Sequence, residues 1–200
     1  MEISGHTRLL CLIGSPVAHS GSPAMYNYSF EKLGLDYRYL AFDIKEEDMK
    51  KAIEALKMMN FRGCNITMPG KTVAASCCDE LSKAAELTGA VNTIVNEDGK
   101  LVGHITDGTG WIRNCLEHGF DIHGKKLVIA GCGGAGTAIQ IAAALGGAKD
   151  VVILARKSSV RYANGEATVQ KIREHVPECR AEIFDLEDVG AVRRALAGAD

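Results

Sequence analysis

Residues 126–145 read K-L-V-I-A-G-C-G-G-A-G-T-A-I-Q-I-A-A-A-L, an order of residue types that predicts a strand, a tight turn and a helix. The apolar run Leu127 to Ala130 is the strand, Gly131-x-Gly133-x-x-Gly136 the turn, and Ala, Ile and Leu at helical spacing the helix. A lone G-x-G-x-x-G is weak, but the same glycines between a buried strand and an apolar helix are the fingerprint of a dinucleotide-binding βαβ unit. Gly131 turns the chain sharply, Gly133 lets the backbone approach a pyrophosphate, and Gly136 lets helix and strand pack closely. The helix N-terminus then offers free N–H groups and a partial positive charge to phosphate. A glycine-rich turn without a ligand is the plainer alternative, and the flanking pattern disfavours it.

The whole chain fits around this unit. Two hundred residues suffice for one large domain or two small ones, and 46% hydrophobic residues with 24% charged residues describe a soluble globular protein. A net charge of -2 without a long basic run gives no electrostatic footprint for nucleic acid. The run Leu9 to Ile13 is too short for a signal-peptide core or a membrane span, so the expectation is a cytoplasmic protein with no membrane partner. Seven cysteines without a C-x-x-C pair suit free thiols in a reducing compartment. Cys77 and Cys78 are adjacent, which makes them a candidate redox pair against the commoner reading of ordinary thiols. Six histidines show neither H-E-x-x-H nor Cys/His ligand spacing, so no metal site is expected.

From the N-terminus, Arg8 to Ile13 predicts a first strand, followed by a loop in which Ser22 caps a helix and Pro23 occupies its first position. Ser20 and Ser22 thereby stand at a strand end beside a helix N-terminus, where a carboxylate is well received. Tyr37 to Asp43 predicts a second strand and Glu46 to Met59 a helix with Met49, Ile53, Leu56 and Met59 on one face. Gly63 to Ile66 predicts a third strand, and the Pro69-Gly70 turn after it presents Thr67 and Lys71 near its C-terminal end. A helical stretch from Val73 to Glu86 leads to a hairpin made of residues 89–95 and 100–105. Asp107 starts the next helix, Trp111 to His118, where capping is its plainer role. After the glycine turn, Asp150 to Ala155 and Arg180 to Phe184 predict strands, with helices at Glu166 to His175 and Glu187 to Ala197. An acidic residue after the second of these strands would suit an adenosine ribose, whereas arginine suits a 2'-phosphate; here the residue is Arg156.

With these pieces placed, the chain resembles the shikimate/quinate dehydrogenase family along essentially its whole length. The resemblance rests on G-S-P-V-A-H-S-G-S-P at 14–23, N-I-T-M-P-G-K at 65–71, G-A-V-N-T at 89–93, T-D-G-T-G at 106–110 and G-C-G-G-A-G at 131–136. It is nearest the branch that takes both quinate and shikimate. The implied fold class is α/β: an N-terminal α/β substrate domain at 1–107, a connecting helix at 108–120, and a Rossmann-type dinucleotide-binding domain at 121–200, incomplete at the C-terminus, with a cleft between the domains. The implied activity is NAD(P)-dependent interconversion of shikimate and 3-dehydroshikimate, or of quinate and 3-dehydroquinate. By the family pattern Ser20 and Ser22 hold the substrate carboxylate, Thr67 and Asn92 surround the ring hydroxyls, and Lys71 and Asp107 form the catalytic pair. Gly131, Gly133, Gly134, Ala135, Gly136 and Arg156 hold the cofactor.

Reversible alcohol oxidation needs a group that takes the hydroxyl proton as hydride leaves, and returns it in reduction. A lysine within hydrogen-bond reach suits both directions, and the acid/base is either Lys71 itself, oriented by Asp107, or the Lys71–Asp107 pair acting as a unit. Ile105 replaces the asparagine usual in the fourth motif, which removes one polar contact of the family pattern. Arg156 follows the second strand, and Ser158 and Ser159 stand where the dual-specificity branch commonly adds an aspartate, so NADP is expected over NAD. The family's later nicotinamide-side motifs have no counterpart before Asp200, so an incomplete chain is expected. The competing expectation from another class is a catalytically idle binding module for a small hydroxy acid or a dinucleotide. A homodimer is the candidate assembly.

Overall fold

The strand Arg8–Gly14 (β1) reads R-L-L-C-L-I-G, and Cys11, Leu12, Ile13 and Gly14 are all buried, as befits a central strand covered on both faces. In the computed structural model, which describes residues 2–199, β1 pairs in parallel with Tyr37–Asp43 (β2) and with Gly63–Ile66 (β3). Beyond β3 the sheet turns antiparallel through Thr93–Glu97 (β5) and Lys100–His104 (β6). The two-residue Glu80–Leu81 (β4) lies parallel to β6 at the far edge. The β5–β6 hairpin closes through Asp98 and Gly99, both at positive φ, with Asn96 Oδ1 accepting the Gly99 N–H at 2.8 Å.

At the other edge, helix Ser22–Lys32 (α1) covers β2 and buries Phe30 in a cluster with Leu12, Val17 and Tyr39. Asn27 on this helix reproduces a strand partner: its amide donates to the Tyr39 carbonyl at 2.8 Å and accepts the Tyr39 N–H at 2.9 Å. These residues, through His104, form one compact unit.

The second unit begins at Ile105. It holds helix Asp107–Glu117 (α5) and a parallel sheet of Lys126–Ala130 (β7), Asp150–Ala155 (β8) and Arg180–Asp185 (β9), with β8 in the middle and buried throughout. Helices Gly134–Leu145 (α6), Tyr162–His175 (α7) and Val189–Leu196 (α8) complete it. Val152 and Leu154 face Ala195 of α8, while Ile153 lies near Gly165 of α7, so β8 sends alternate side chains to opposite helical layers. The strand order is that of the first half of a doubly wound sheet.

Several local expectations are corrected. Gly21, not Ser22, is the N-cap of α1. Ser22 is the first helical residue, and its N–H donates to Ser20 Oγ at 3.2 Å. The helix expected at 46–59 opens as a 3-10 turn, Glu46–Asp48, and continues as Met49–Met58 (α2). Met49, Ile53 and Leu56 are buried, but Met59, at the C-cap before a left-handed Asn60, is 56% exposed. The stretch expected as one helix at 73–86 is two, Lys71–Ser76 (α3) and Lys83–Thr88 (α4). Between them Asp79 turns the chain into β4: its N–H donates to the Leu101 carbonyl at 2.8 Å and its carboxylate accepts the Leu101 N–H at 2.7 Å. Ser82 then restarts the helix by accepting the Ala85 N–H. Asp107 is not a cap either; Thr106 holds that position and Asp107 lies in the first turn of α5. α7 starts four residues before the expected Glu166, carrying Gly165 within it, because a Cβ there would meet Cys132 and Ile183.

Candidate active site

Three segments of the first unit converge at the C-terminal ends of β1 and β3, the end at which open α/β sheets hold ligands. The loop after β1 is tied to the loop after β3 by Ser15 N–H donating to the Met68 carbonyl (3.0 Å) and Thr67 N–H donating to Ile13 (3.0 Å). Gly14 makes this possible, since a Cβ there would lie 2.3 Å from Thr67 Cγ2. The third segment enters through Val91 N–H to the Lys71 carbonyl (2.9 Å) and Ile66 N–H to the Asn92 carbonyl (2.8 Å). Ser20, Ser22, Thr67, Lys71 and Asn92 therefore ride on segments fastened to one another. Ser20, Ser22, Thr67 and Lys71 are half-buried and Asn92 is buried. Lys71 opens α3 one residue after the Pro69-Gly70 turn, as the spacing requires. Asp107 belongs to the second unit, in the first turn of α5.

Behind Asn92 runs a polar chain that sequence reasoning did not find. The Tyr39 hydroxyl donates to Asn65 Oδ1 (2.8 Å), Asn65 Nδ2 donates to Thr93 Oγ1 (3.1 Å), and the Thr93 hydroxyl donates to Asn92 Oδ1 (3.1 Å). Burial, reinforced by Tyr26 stacked on it at 4.5 Å, pushes the Tyr39 phenol well above its usual range and keeps it a donor. Alternation placed Tyr39 and Asn65 on strands, but no local signal pairs residues so far apart in sequence.

In the second unit the glycine turn has the form its spacing predicts. Gly131 takes φ +105, accessible at little cost only to glycine, and its N–H donates to the Leu154 carbonyl at 2.8 Å. A Cβ on Gly136 would lie 2.4 Å from the Gly131 carbonyl oxygen, so only glycine lets α6 start this close to β7. Gly133 is the N-cap of α6 and no side chain caps the helix, while Gly134, Ala135 and Gly136 form its first turn. Beside the turn lies a cavity of about 200 Å³ lined by Gly131, Cys132, Gly133, Arg156, Arg161 and Tyr162 among others. Arg161 was not expected; its Nη1 would lie 3.6 Å from a Cβ on Gly133. The uncapped helix N-terminus, brought close to β7 by Gly136, and the two guanidiniums beside it fit a phosphorylated dinucleotide.

The seven cysteines are free thiols. Both Cys77 and Cys78 donate to carbonyls of α3 at 3.3 Å, and burial, then the neighbouring Cys77 and Asp79, push the Cys78 thiol up to about 11. Cys11 and Cys64 pair across β1 and β3, where the Cys11 sulfur and burial hold Cys64 protonated. Among the described residues no group of three or more His, Cys, Asp or Glu could hold a metal, and no helix is long and apolar enough to cross a membrane.

Residues 12–94 match the family model described as the shikimate dehydrogenase substrate binding domain. A shikimate dehydrogenase (NADP(+)) of Listeria monocytogenes serotype 4b is 52% identical over 196 residues, 98% of this chain and 67% of that protein. The corresponding protein of Streptococcus uberis is 47% identical over 198 residues, 98% of this chain and 66% of its own length. Among solved structures, shikimate 5-dehydrogenase from Listeria monocytogenes in complex with shikimate and NAD superposes with a TM-score of 0.95 at 51% identity, covering 100% of this chain and 68% of that one. The Thermus thermophilus enzyme in complex with NADP(H) and shikimate superposes with a TM-score of 0.73 at 33% identity, over 88% of this chain and 62% of that one. The chain thus spans about two thirds of the length of these relatives, and the chain belongs to the shikimate dehydrogenase family.

Proposed function

We propose that the chain is an NAD(P)-dependent oxidoreductase interconverting shikimate and 3-dehydroshikimate, with NADP the preferred cofactor. One observation carries the reading: in a chain 52% identical to a shikimate dehydrogenase (NADP(+)), backbone bonds fasten the segments bearing Ser20, Ser22, Thr67, Lys71 and Asn92 at one end of the sheet. The relatives named here are shikimate dehydrogenases, which favours shikimate over quinate. The preference for NADP rests on Arg156 and Arg161 lining the cavity beside the glycine turn, where they complement a 2'-phosphate.

In this reading Ser20 and Ser22 bind the substrate carboxylate, while Thr67 and Asn92 hold ring hydroxyls, the latter braced by the Thr93–Asn65–Tyr39 chain. The nicotinamide, when bound, supplies the hydride acceptor or donor. Lys71 takes the hydroxyl proton during oxidation and returns it to the developing alkoxide during reduction. The role of Asp107 as the partner of Lys71 rests on the family resemblance. Gly131, Gly133, Gly134, Ala135 and Gly136 hold the diphosphate.

The test is the initial rate of NADP+ or NAD+ reduction with shikimate and, separately, quinate, for the chain and for Lys71→Ala. The expected outcome is shikimate-dependent reduction, faster with NADP+, that falls by about 100-fold or more in the variant. Ligand binding without turnover would overturn the enzyme in favour of an idle binding module, and a variant within a few-fold of its parent would remove Lys71 from the chemistry.

A further inference from the structure

Gln140 is 0% exposed in the middle of the alanine-rich α6, a place where an amide is costly unless it is bonded. It makes one bond. Nε2 donates to the Gly131 carbonyl at 2.9 Å, while Oε1 is buried without a partner among the described residues. The amide cannot be turned over, because Oε1 would then meet the Gly131 oxygen, acceptor against acceptor. A leucine or methionine would fill the volume without leaving an acceptor orphaned. What the amide supplies is therefore its hold on the Gly131 carbonyl.

That hold has a consequence on the other side of the peptide. The Gly131–Cys132 bond is not among the cis peptides of the chain, and in a planar trans peptide the C=O and N–H point in opposite directions. With the carbonyl drawn toward α6, into the space left by the missing Cβ of Gly136, the Cys132 N–H points away from the helix. It has no hydrogen-bond partner among the described residues. The freedom that lets Gly131 adopt φ +105 also lets this peptide rotate, and a rotated peptide would present an oxygen to an incoming anion.

We propose that Gln140 is a positioning residue for the cofactor, which holds the Gly131 carbonyl against α6 so that the Cys132 N–H is presented to the diphosphate. The inference rests on the cofactor reading above and adds a residue outside the glycine turn. Nothing in the glycine motif specifies it: Gln140 lies four residues beyond the last glycine.

The test is calorimetric titration of the full chain with NADP+ and with adenosine 2'-monophosphate, which has no diphosphate, for the parent, Gln140→Leu and Gln140→Glu. Gln140→Leu is expected to bind NADP+ about ten-fold more weakly, the equivalent of one hydrogen bond, and to bind the monophosphate like its parent, with thermal stability equal or higher. Gln140→Met stands in if the leucine variant does not fold. Relative to the parent at each pH, Gln140→Glu should recover NADP+ affinity near about pH 5.5, where a protonated buried carboxyl can donate to Gly131, and lose it above about pH 8. Undiminished NADP+ affinity in Gln140→Leu, equal weakening of both ligands, or a flat pH profile for Gln140→Glu would overturn the proposal. A parent chain that binds no NADP+ would instead remove the cofactor reading and this inference with it.

Discussion

The carboxylate of Asp185 accepts two backbone N–H groups, from Glu187 at 3.0 Å and from Lys157 at 3.1 Å, and these hold its pKa below the ordinary 3.8. It thereby ties the end of β9 to the loop that carries Arg156 and Arg161. A carboxyl whose pKa is lower folded than unfolded contributes stability that is full above the unfolded pKa and is lost as pH falls through the folded one. Asp185→Asn should therefore melt below its parent at neutral pH, with the gap closing as the series is carried down past pH 3.8; a gap of constant size would rule out the ionised form as the cause. At this scale the sequence was partly legible. Lys71 and Thr67 were placed by the turn at Pro69-Gly70, and the glycines by their spacing. Arg161 and Gln140 escaped notice because an exposed arginine and a glutamine on a helix are ordinary residues until one knows which backbone they meet.

Among the elements, α2 shows how periodicity succeeds and where it stops. Met49, Ile53 and Leu56 recur at helical spacing and are buried, whereas Met59 continues the spacing but falls where the helix has ended. Urea denaturation should separate the two cases: Ile53→Ala costs about 2–5 kcal/mol by opening a cavity, and Met59→Lys changes stability by less than about 0.5 kcal/mol. A large loss at Met59 would place that side chain in the core. The division of 73–86 into α3, β4 and α4 had the opposite origin. Its residues are compatible with one helix, and the break is made by Asp79 pairing with Leu101, a residue on β6. Hairpin β5–β6 was legible because Asp98-Gly99 carries its turn type in two adjacent residues.

For the whole molecule, the proposed cofactor residues lie in one compact unit and the proposed substrate residues, Asp107 apart, in the other, so a divided response to ligands is expected. Hydrogen exchange of the chain should show NADP+ adding protection around residues 131–137 and 154–162, and shikimate adding it around residues 65–71 and 91–93, because a ligand stabilises the segments it binds against local opening. Protection of the glycine turn by shikimate alone would contradict the assignment of the diphosphate site. Outside residues 71–88, the order of the main elements, the class of each unit and the form of the glycine turn were determined by the sequence itself, since strand alternation, helical spacing and turn residues act over a few neighbouring positions. Only the tertiary structure decided that Tyr39 reaches Asn65, that Asp79 takes the N–H of Leu101, and that Gln140 grips Gly131. Each of these is one hydrogen bond between groups that packing, rather than any local pattern, brings within reach.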